Sequence, residues 1–471
     1  MISHILFFIT LLFAKQGLTN ALGGQVGVNY GRIANNLPSA YKVIQLLKSQ
    51  NINRVKLFDS DPSVLKSLSK SNISVIICVP NELLASVSNK QSFATKWVQD
   101  NILGYYPLTR ITAIAVGNEV FVDTNNITEH LVPAMKNINR ALVKFNIDGD
   151  IKVSSPIALS ALQSSYPSSS GSFKPDLIEP VVKPMLEFLK ETRSYLMVNI
   201  YPFFAYEGNS DVISLDYALF KENSGNVDSG NGLKYTSLLE AQLDAVYAAM
   251  SALKYDDIRI VVSETGWPSK GDENETGAGE ENAAAYNGNL VQRVLTGGGT
   301  PLRPNMELDV YLFALFNENQ KGGPTSERNY GLFYPNEEKV YDISLTAVVP
   351  TKQNNKGKVQ APKVEVHTPS TRGPTAVDTG ATVTTTSNGQ TWCVANGKLR
   401  TEKLQAGIDY ACGEGGADCQ PIQPGAVCYD PNTVEAHASY AFNSYYQKEG
   451  RAIGTCYFGG AAYVVTQPPS E

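Results

Sequence analysis

Two hydrophobic patterns alternate along most of the chain. Short runs of β-branched and other apolar residues are separated by stretches in which apolar residues recur every three or four positions, which is typical of strands followed by amphipathic helices. The predicted strands are Val26 to Tyr30, Arg54 to Phe58, Ser74 to Val79, Thr112 to Val116, Lys152 to Ser155, Tyr195 to Ile200, Arg259 to Ser263 and Asp309 to Phe316. The predicted helices are Leu37 to Ser49, Ser63 to Ser69, Phe93 to Ile102, Ile127 to Phe145, Met185 to Thr192 and Leu238 to Leu253.

This alternation predicts an α/β fold. Eight strands with intervening helices over residues 25–349 favour a (β/α)₈ TIM barrel, and an open, doubly wound sheet is the structural alternative. We therefore expect functional side chains where the strands end.

The pattern changes beyond the predicted barrel. Residues 350–390 lose their apolar periodicity and are rich in Pro and Thr, as in an extended linker. Five of the six cysteines then fall between Trp392 and Cys456. Such a concentration predicts a small disulfide-stapled domain over residues 391–471.

The N-terminus indicates the compartment. Ile5 to Ala14 is an apolar run of signal-peptide length, followed by small and polar residues, so we interpret residues 1–24 as a secretory signal, with a buried N-terminal helix as the alternative. We expect no transmembrane segment, and a protein secreted to the extracellular space or cell wall. Three triplets would then be candidates for glycosylation, beginning at Asn72, Asn126 and Asn274.

Composition narrows the chemistry. The chain is 42% apolar and 18% charged, and 39 Lys and Arg against 45 Asp and Glu give a net charge of −6. No basic excess exists for binding nucleic acid. Four His and scattered Cys argue against a metal site. We expect a monomer without a cofactor, whose chemistry depends on carboxylates, amides and aromatics.

Two glutamates stand out among the polar residues at strand ends. Glu119 follows the fourth predicted strand and Glu264 follows the seventh, so the two would face each other across the barrel mouth. A single glutamate at a strand end is usually a solvated loop residue or part of an ion pair. Here Gly117 and Gly266 permit close approach around the acids. Two opposed carboxylates are the groups that glycosidic bond cleavage requires.

The motifs around these acids resemble glycoside hydrolase family 17, the plant endo-1,3-β-glucanases. The resemblance covers residues 25–349, with the motifs in family order. They are Gly27-Val-Asn-Tyr-Gly-Arg32, Ile114-Ala-Val-Gly-Asn-Glu119, Val198-Asn-Ile-Tyr-Pro-Phe203, Val261-Val-Ser-Glu-Thr-Gly-Trp-Pro-Ser269 and Phe313-Ala-Leu-Phe-Asn-Glu-Asn-Gln-Lys321.

The resemblance implies a role for each matching residue. Glu119 would be the general acid and base of a retaining enzyme, and Glu264 its nucleophile. Asn118 would hydrogen-bond the sugar 2-hydroxyl. Glu318 and Lys321 would form an ion pair beside the acids. The other expected substrate contacts are Tyr30, Asn199, Tyr201, Phe204 and Trp267; Tyr201 and Trp267 taken singly would be core aromatics slightly more often than sugar platforms.

The C-terminal part resembles carbohydrate-binding module family 43, which binds β-1,3-glucan. The matching segments include Trp392-Cys-Val-Ala395, Asp409-Tyr-Ala-Cys-Gly413 and His437-Ala-Ser-Tyr-Ala-Phe-Asn443. Family pairing would join Cys393 to Cys456 and Cys412 to Cys419. Cys428 would lack the partner that the family supplies, either because this thiol is free or because the sequence is truncated.

The resulting hypothesis is a secreted, retaining endo-1,3-β-glucanase with a tethered glucan-binding module. Two alternatives remain open at this stage. A transglycosylase would use the same carboxylates and differ in whether water or a sugar resolves the covalent intermediate. A noncatalytic wall-glucan binding protein would use the barrel as a scaffold, although the presence of both glutamates disfavours it.

Overall fold

A computed structural model describes residues 24–123, 125, 127–346, 392–397, 401–413, 415–448, 451, 456, 458 and 461–465. They belong to two compact units, residues 1–355 and 356–471. The predicted signal before Gly24, the predicted linker and Asn126 lie outside the described residues. Gly24, the last residue of the predicted signal, is described, and its backbone N–H donates to the carbonyl of Val294.

A parallel sheet forms the centre of the first unit. Its strands are β1 Val26–Tyr30, β2 Arg54–Leu57, β3 Ser74–Val79, β4 Arg110–Val116, β5 Lys152–Ser154, β6 Pro156–Ala158, β9 Leu196–Asn199, β12 Ile260–Thr265 and β13 Val310–Leu312. Their order in the sheet is β5-β4-β3-β2-β1-β13-β12-β9-β6. β5 pairs with β4, and β6, which follows β5 after Ser155 alone, pairs with β9, so these two short strands together close the ring. The barrel prediction is confirmed, and the open sheet is excluded.

Every residue of β3 is buried, because a barrel strand is covered on both faces. Its Val75 and Ile77 belong to the large core between sheet and helices, whereas Ile76 and Cys78 point into the barrel. The interior layer is Ile76, Cys78, Ala113, Ala115, Met197, Val261 and Tyr311. The barrel interior is therefore a packed core and not an open channel.

Helices cover the outside of the barrel. Asp61 caps one of them by accepting from the N–H groups of Ser63 and Val64, and Ser237 caps another. The predicted helix ending at Ile102 is divided, because its last turn is a π-helix over Gln99–Leu103. The longer outer helices are Ala40–Ser49, Gln91–Val98, Thr128–Lys144, Lys183–Glu191, Leu238–Ala252 and Glu280–Leu295, and the shorter ones are Pro62–Ser67, Leu84–Asn89, Pro175–Leu177, Pro202–Glu207 and Leu215–Ala218.

Two antiparallel hairpins extend the loops on one side of the mouth. β7 (Leu162–Ser164) pairs with β8 (Ser172–Phe173), and β10 (Asn226–Val227) pairs with β11 (Lys234–Tyr235). The β7–β8 hairpin packs on the helix Leu238–Ala252, because Ser168 donates a 2.8 Å hydrogen bond to the carbonyl of Ala241. This contact brings a helix of the outer layer close to the cleft.

The second unit has one small core. β14 (Trp392–Ala395) pairs with β15 (Ala462–Val465), and the helices Thr401–Cys412 and Val434–Lys448 pack beside them. Phe442 is fully buried and stacks on Phe458 with ring centroids 4.0 Å apart. The disulfides join Cys393 to Cys456 and Cys412 to Cys419, the pairing that the resemblance implied, and Cys428 is free and exposed.

Two of the three candidate glycosylation sites are accessible to solvent. Asn72 and Asn274 are both exposed, as an acceptor side chain must be. Within the described part of the chain, no helix has the length and apolar character needed to cross a bilayer.

Candidate active site

A cavity of about 780 Å³ opens at the carboxyl ends of the barrel strands. Both predicted acids, Glu119 and Glu264, line it together with Asn118 and Asn199. These residues follow the fourth, sixth and seventh strand positions of the ring. The topology therefore gathers residues that are 145 positions apart in the sequence, from Glu119 to Glu264.

A β-bulge directs Glu264 into the cavity. In the β9–β12 ladder Val262 pairs with Val198, but the next pair is Glu264 with Asn199, so β12 carries one extra residue. Strict alternation would turn Glu264 away from the interior, because Val261 already points inward. The bulge restores the inward direction just before the strand ends.

Two donors hold the Glu264 carboxylate. Lys56 Nζ lies 2.8 Å from one carboxylate oxygen, and the Tyr201 hydroxyl donates a 3.0 Å hydrogen bond to the other. Lys56 is 1% exposed and Glu264 is 5% exposed, so this ion pair is shielded from bulk water. Both contacts stabilise the negative charge and fix the direction of the carboxylate.

Hydrogen bonds fix the backbone turn that contains Glu119. Its φ is +51°, in the left-handed region that non-glycine residues seldom occupy. Its N–H donates to Pro156, and the preceding Asn118 is held by the Asn81 amide, which accepts from the Asn118 N–H and donates to its carbonyl. Such a strained conformation persists only where its surroundings impose it, which is common at functional sites.

The environment of Glu119 favours its protonated form. Burial raises the pKa of Glu119, and the negative charge of Glu264 raises it further. The Asn199 amide opposes both effects by donating a 2.9 Å hydrogen bond to Oε1 of Glu119. Because Glu264 acts on the pKa of Glu119 through its charge, the two acids are electrostatic neighbours.

Asparagine amides connect the two acids. Asn199 contacts Glu119 through Nδ2 and accepts a 2.7 Å hydrogen bond from Ser263, the residue before Glu264. Asn29 in turn donates to the carbonyl of Ser263 at 3.1 Å. Hydrogen bonds thus connect Glu119, through Asn199, to the residue before Glu264.

Aromatic rings form a wall of the cavity. Tyr201 lies 5.6 Å from Phe204, 6.1 Å from Phe313 and 5.7 Å from Tyr330, measured between ring centroids. Phe204 is 45% exposed, which leaves part of its ring free for a ligand. Tyr201 and Phe204 therefore line the cavity, as the sequence predicted.

The expected ion pair between Glu318 and Lys321 is not formed. Lys321 pairs with Glu327 at 3.2 Å and lies over the Phe313 ring, while Glu318 accepts a hydrogen bond from the Ile33 N–H. Burial raises the pKa of Glu318, and the charge of Lys321 acts against this shift. Both residues line the cavity, but each has a different partner from the one predicted.

Two aromatic predictions were wrong. Trp267 is fully buried, where its indole N–H donates to the carbonyl of Gly277 and its ring packs on Phe203. Tyr30 is 3% exposed and packs on Phe316. Both side chains lie in the core between sheet and helices, so neither can stack on a sugar in the cleft.

Sequence reasoning missed Lys56, Phe58, Phe313, Glu327 and Tyr330, which lie in or beside the cavity. Only Lys56 carried a usable signal. It stands between the apolar Val55 and Leu57 in a barrel strand, where no face meets solvent, so its charge requires a buried partner. In the described ranges, no group of three or more His, Cys, Asp or Glu side chains is placed to hold a metal ion.

A parallel barrel whose mouth presents two glutamates, one with a raised pKa and one held by cationic and hydroxyl donors, defines the class of barrel glycoside hydrolases. Residues 26–345 match the model of glycosyl hydrolases family 17, and the chain belongs to this family. Residues 391–463 match the X8 domain, which corresponds to the resemblance to carbohydrate-binding module family 43.

Relatives are similar to this chain over nearly its whole length. Glucan endo-1,3-beta-glucosidase 12 of Arabidopsis thaliana is 41% identical over 99% of this chain and 86% of its own length. Glucan endo-1,3-beta-D-glucosidase of Olea europaea is 39% identical over 99% of this chain and 96% of its own. A solved structure of a β-1,3-glucanase and pollen allergen of Cryptomeria japonica has 44% identity and a TM-score of 0.66, covering 68% of this chain and 99% of the allergen.

Proposed function

We propose that this protein is a retaining glucan endo-1,3-β-glucosidase that cleaves internal linkages of β-1,3-glucan, such as callose or laminarin-like polysaccharide. The observation that carries the proposal is the difference between the environments of the two acids. Glu119 has a raised pKa, and Glu264 is fixed between Lys56 and Tyr201. One acid is thus prepared to hold a proton and the other to carry charge.

In the first step, a Glu264 oxygen attacks the anomeric carbon while Glu119 gives its proton to the leaving glycosidic oxygen. The bond between sugar and leaving group breaks as the bond from sugar to Glu264 forms. Glu119, now ionised, takes a proton from water in the second step. As it loses this proton, the water oxygen attacks the anomeric carbon, and the bond between the sugar and Glu264 breaks.

The substrate proposal rests on the cleft and on the relatives. The cavity has aromatic walls at Tyr201 and Phe204, which suit the apolar faces of sugar rings. The relatives from Arabidopsis and olive are both named for activity on 1,3-β-glucan. We place the enzyme in the extracellular space or cell wall, where its X8 unit would hold insoluble glucan close to the barrel.

The direct test is incubation of the whole protein with linear 1,3-glucan, followed by analysis of product lengths and of the anomer first formed. We expect a ladder of shorter oligosaccharides whose new reducing ends are initially β. Products longer than the starting oligosaccharides would identify a transglycosylase, and initial α products would contradict the double displacement. Absence of any cleavage would favour a noncatalytic glucan-binding protein.

The role of Glu264 has its own test. The Glu264→Ala variant should lose hydrolysis, and added azide should restore turnover of an activated aryl glycoside and give the α-linked azide, because the small anion fills the empty nucleophile position. The exposed Glu187 offers a matched control, since Glu187→Ala should keep wild-type activity. Near-wild-type activity of Glu264→Ala on laminarin would refute the assignment.

A further inference from the structure

One residue of the cavity wall comes from a long helix of the outer layer. Gln242 belongs to the helix Leu238–Ala252, yet its side chain lines the cavity. It is only 7% exposed, and its amide oxygen is buried without a hydrogen-bond partner among the described residues. Buried amide groups are nearly always hydrogen-bonded, so this exception requires an explanation.

The structure holds Gln242 firmly in this position. The bond from Ser168 to the carbonyl of Ala241 fixes the adjacent backbone. One helical turn further on, Gly171 lies so close to the Ala245 carbonyl that a Cβ on this glycine would come within 2.0 Å of the oxygen. These contacts fix the backbone on both sides of Gln242 and so keep this residue at the cavity wall.

The surroundings of Gln242 define one end of the cleft. We call Leu159, Ser160, Phe204, Ala205 and Gln242 the neutral end, because none of these side chains carries a charge. The opposite side of the cavity contains Arg32, Glu318, Lys321 and Glu327. A ligand group at the neutral end is therefore uncharged and polar, with an apolar face for the half-exposed Phe204 ring.

We propose that Gln242 is a substrate-positioning residue whose amide binds a hydroxyl group of a glucosyl unit at the neutral end of the cleft. This inference rests on the proposed function, since it takes the ligand to be a 1,3-glucan chain. A sugar hydroxyl both donates and accepts, so it can pair with either atom of the amide. Rotation about the last bond of the Gln242 side chain would turn its oxygen, which has no partner among the described residues, toward such a hydroxyl.

The test compares Gln242→Met with the wild-type full-length protein on 1,3-linked gluco-oligosaccharides of increasing length. Methionine keeps the length of the side chain and removes both polar atoms. We expect the ratio of kcat/KM on long chains to kcat/KM on the shortest cleaved chain to fall about tenfold or more, chiefly through KM, because a group away from the reacting bond contributes mainly to binding. The conservative Gln242→Glu, which keeps an acceptor, should recover part of this ratio.

Thermal unfolding separates this role from a structural one. If the amide serves substrate only, Gln242→Met should keep or raise Tm, because it removes a buried acceptor that has no partner. A lower Tm with a uniform loss of activity at every chain length would overturn the proposal. So would a variant whose dependence on chain length matches the wild type.

A matched control is available on the neighbouring hairpin. Gln163 lies in β7 but is exposed and does not line the cavity, so Gln163→Met should leave the length dependence unchanged. Failure of the two proposals is distinguishable. A wild-type protein that cleaves no 1,3-linked oligosaccharide would refute the proposed function, whereas cleavage with an unaltered Gln242→Met profile would refute only this inference.

Discussion

The buried ion pairs at the two ends of the barrel have different surroundings, and strand β2 contributes the cation to each of them. Arg54 and Lys56 point into the barrel from the same face of this strand. Arg54 lies at the floor, where its guanidinium is 3.1 Å from Asp309, and Lys56 reaches the mouth, where it is 2.8 Å from Glu264. The mouth pair is the more deeply buried: the side chains of Lys56 and Glu264 are 1% and 7% exposed, against 16% and 9% for Arg54 and Asp309. The two pairs also differ in their other partners.

At the floor, several protein groups surround the Asp309 carboxylate. Asp309 also accepts from Arg259 and from the Gln25 N–H, and Arg54 lies over the Tyr311 ring at 5.0 Å. At the mouth, Glu264 has two donors and a cavity in front of it. The donors around Asp309 stabilise the fold, whereas Glu264 has fewer donors and lines the larger of the two cavities, where a substrate can bind. Substitutions at the two ends should therefore affect different measurements.

The largest effect is expected at the mouth, from Glu119→Gln. Loss of the acidic proton should lower kcat on unactivated glucan by about 100- to 10,000-fold. An aryl glycoside with a good leaving group needs no proton, so the loss on that substrate should be much smaller. Stopped assays on both substrates provide the measurement. Equal losses on the two would show that another group is the acid.

Lys56→Met should lower kcat by about 100- to 1,000-fold, because Glu264 would lose the cation that stabilises its charge. Lys56→Arg keeps the positive charge and should recover part of the activity. Lys42, which is exposed on the first outer helix, supplies the control Lys42→Met with unchanged kcat. If Lys56→Met lowered only thermal stability, the mouth pair would be structural like the one at the floor.

Arg54→Met tests the opposite end. Removing one partner of this buried network should lower the free energy of unfolding by about 3 kcal/mol, because Asp309 loses one of its two cations. Denaturant titration gives this value. The kcat of the folded fraction should match the wild type, since the floor does not touch the cavity. A lowered kcat at full folding would abolish the distinction between the two ends.

Sequence patterns were most informative about the strands. β1 and β3 have the predicted bounds, because runs of apolar residues between turns are typical of strands buried on both faces. The predicted eighth strand, Asp309 to Phe316, was too long: the observed strand β13 is Val310–Leu312. The helix Glu280–Leu295 was not among the predicted helices, although its buried residues Ala283, Tyr286, Leu290 and Val294 recur at helical spacing.

The sequence identified residues of the site better than it predicted the directions in which their side chains point. Strand-end motifs located Glu119 and Glu264, but the inward direction of Glu264 depends on a bulge in the ladder with β9. The same lack of directional information explains the error at Trp267, which follows that strand and turns into the core. Whether Lys321 contacts Glu318 or Glu327 depends on loop geometry, which pattern alone does not define.

Tyr201→Phe sharpens the description of the mouth with a smaller effect. The variant removes the 3.0 Å hydrogen bond to Glu264 and retains the aromatic wall. A hydrogen bond to a charged group is worth about 1.5 kcal/mol or more, so we expect roughly a tenfold loss in kcat/KM. An unchanged kcat/KM would mean that Lys56 alone holds the carboxylate.

The smallest expected effect is a displacement of the pH profile in Asn199→Ala. The Asn199 amide stabilises ionised Glu119 and lowers its pKa against the opposing effects of burial and Glu264. Without the amide, the pKa of Glu119 should rise further, so the acid should stay protonated to higher pH. Because activity is lost as this proton is lost, the basic limb of kcat/KM should move to higher pH. A basic limb that stays in place or moves to lower pH would show that another group than Glu119 controls it.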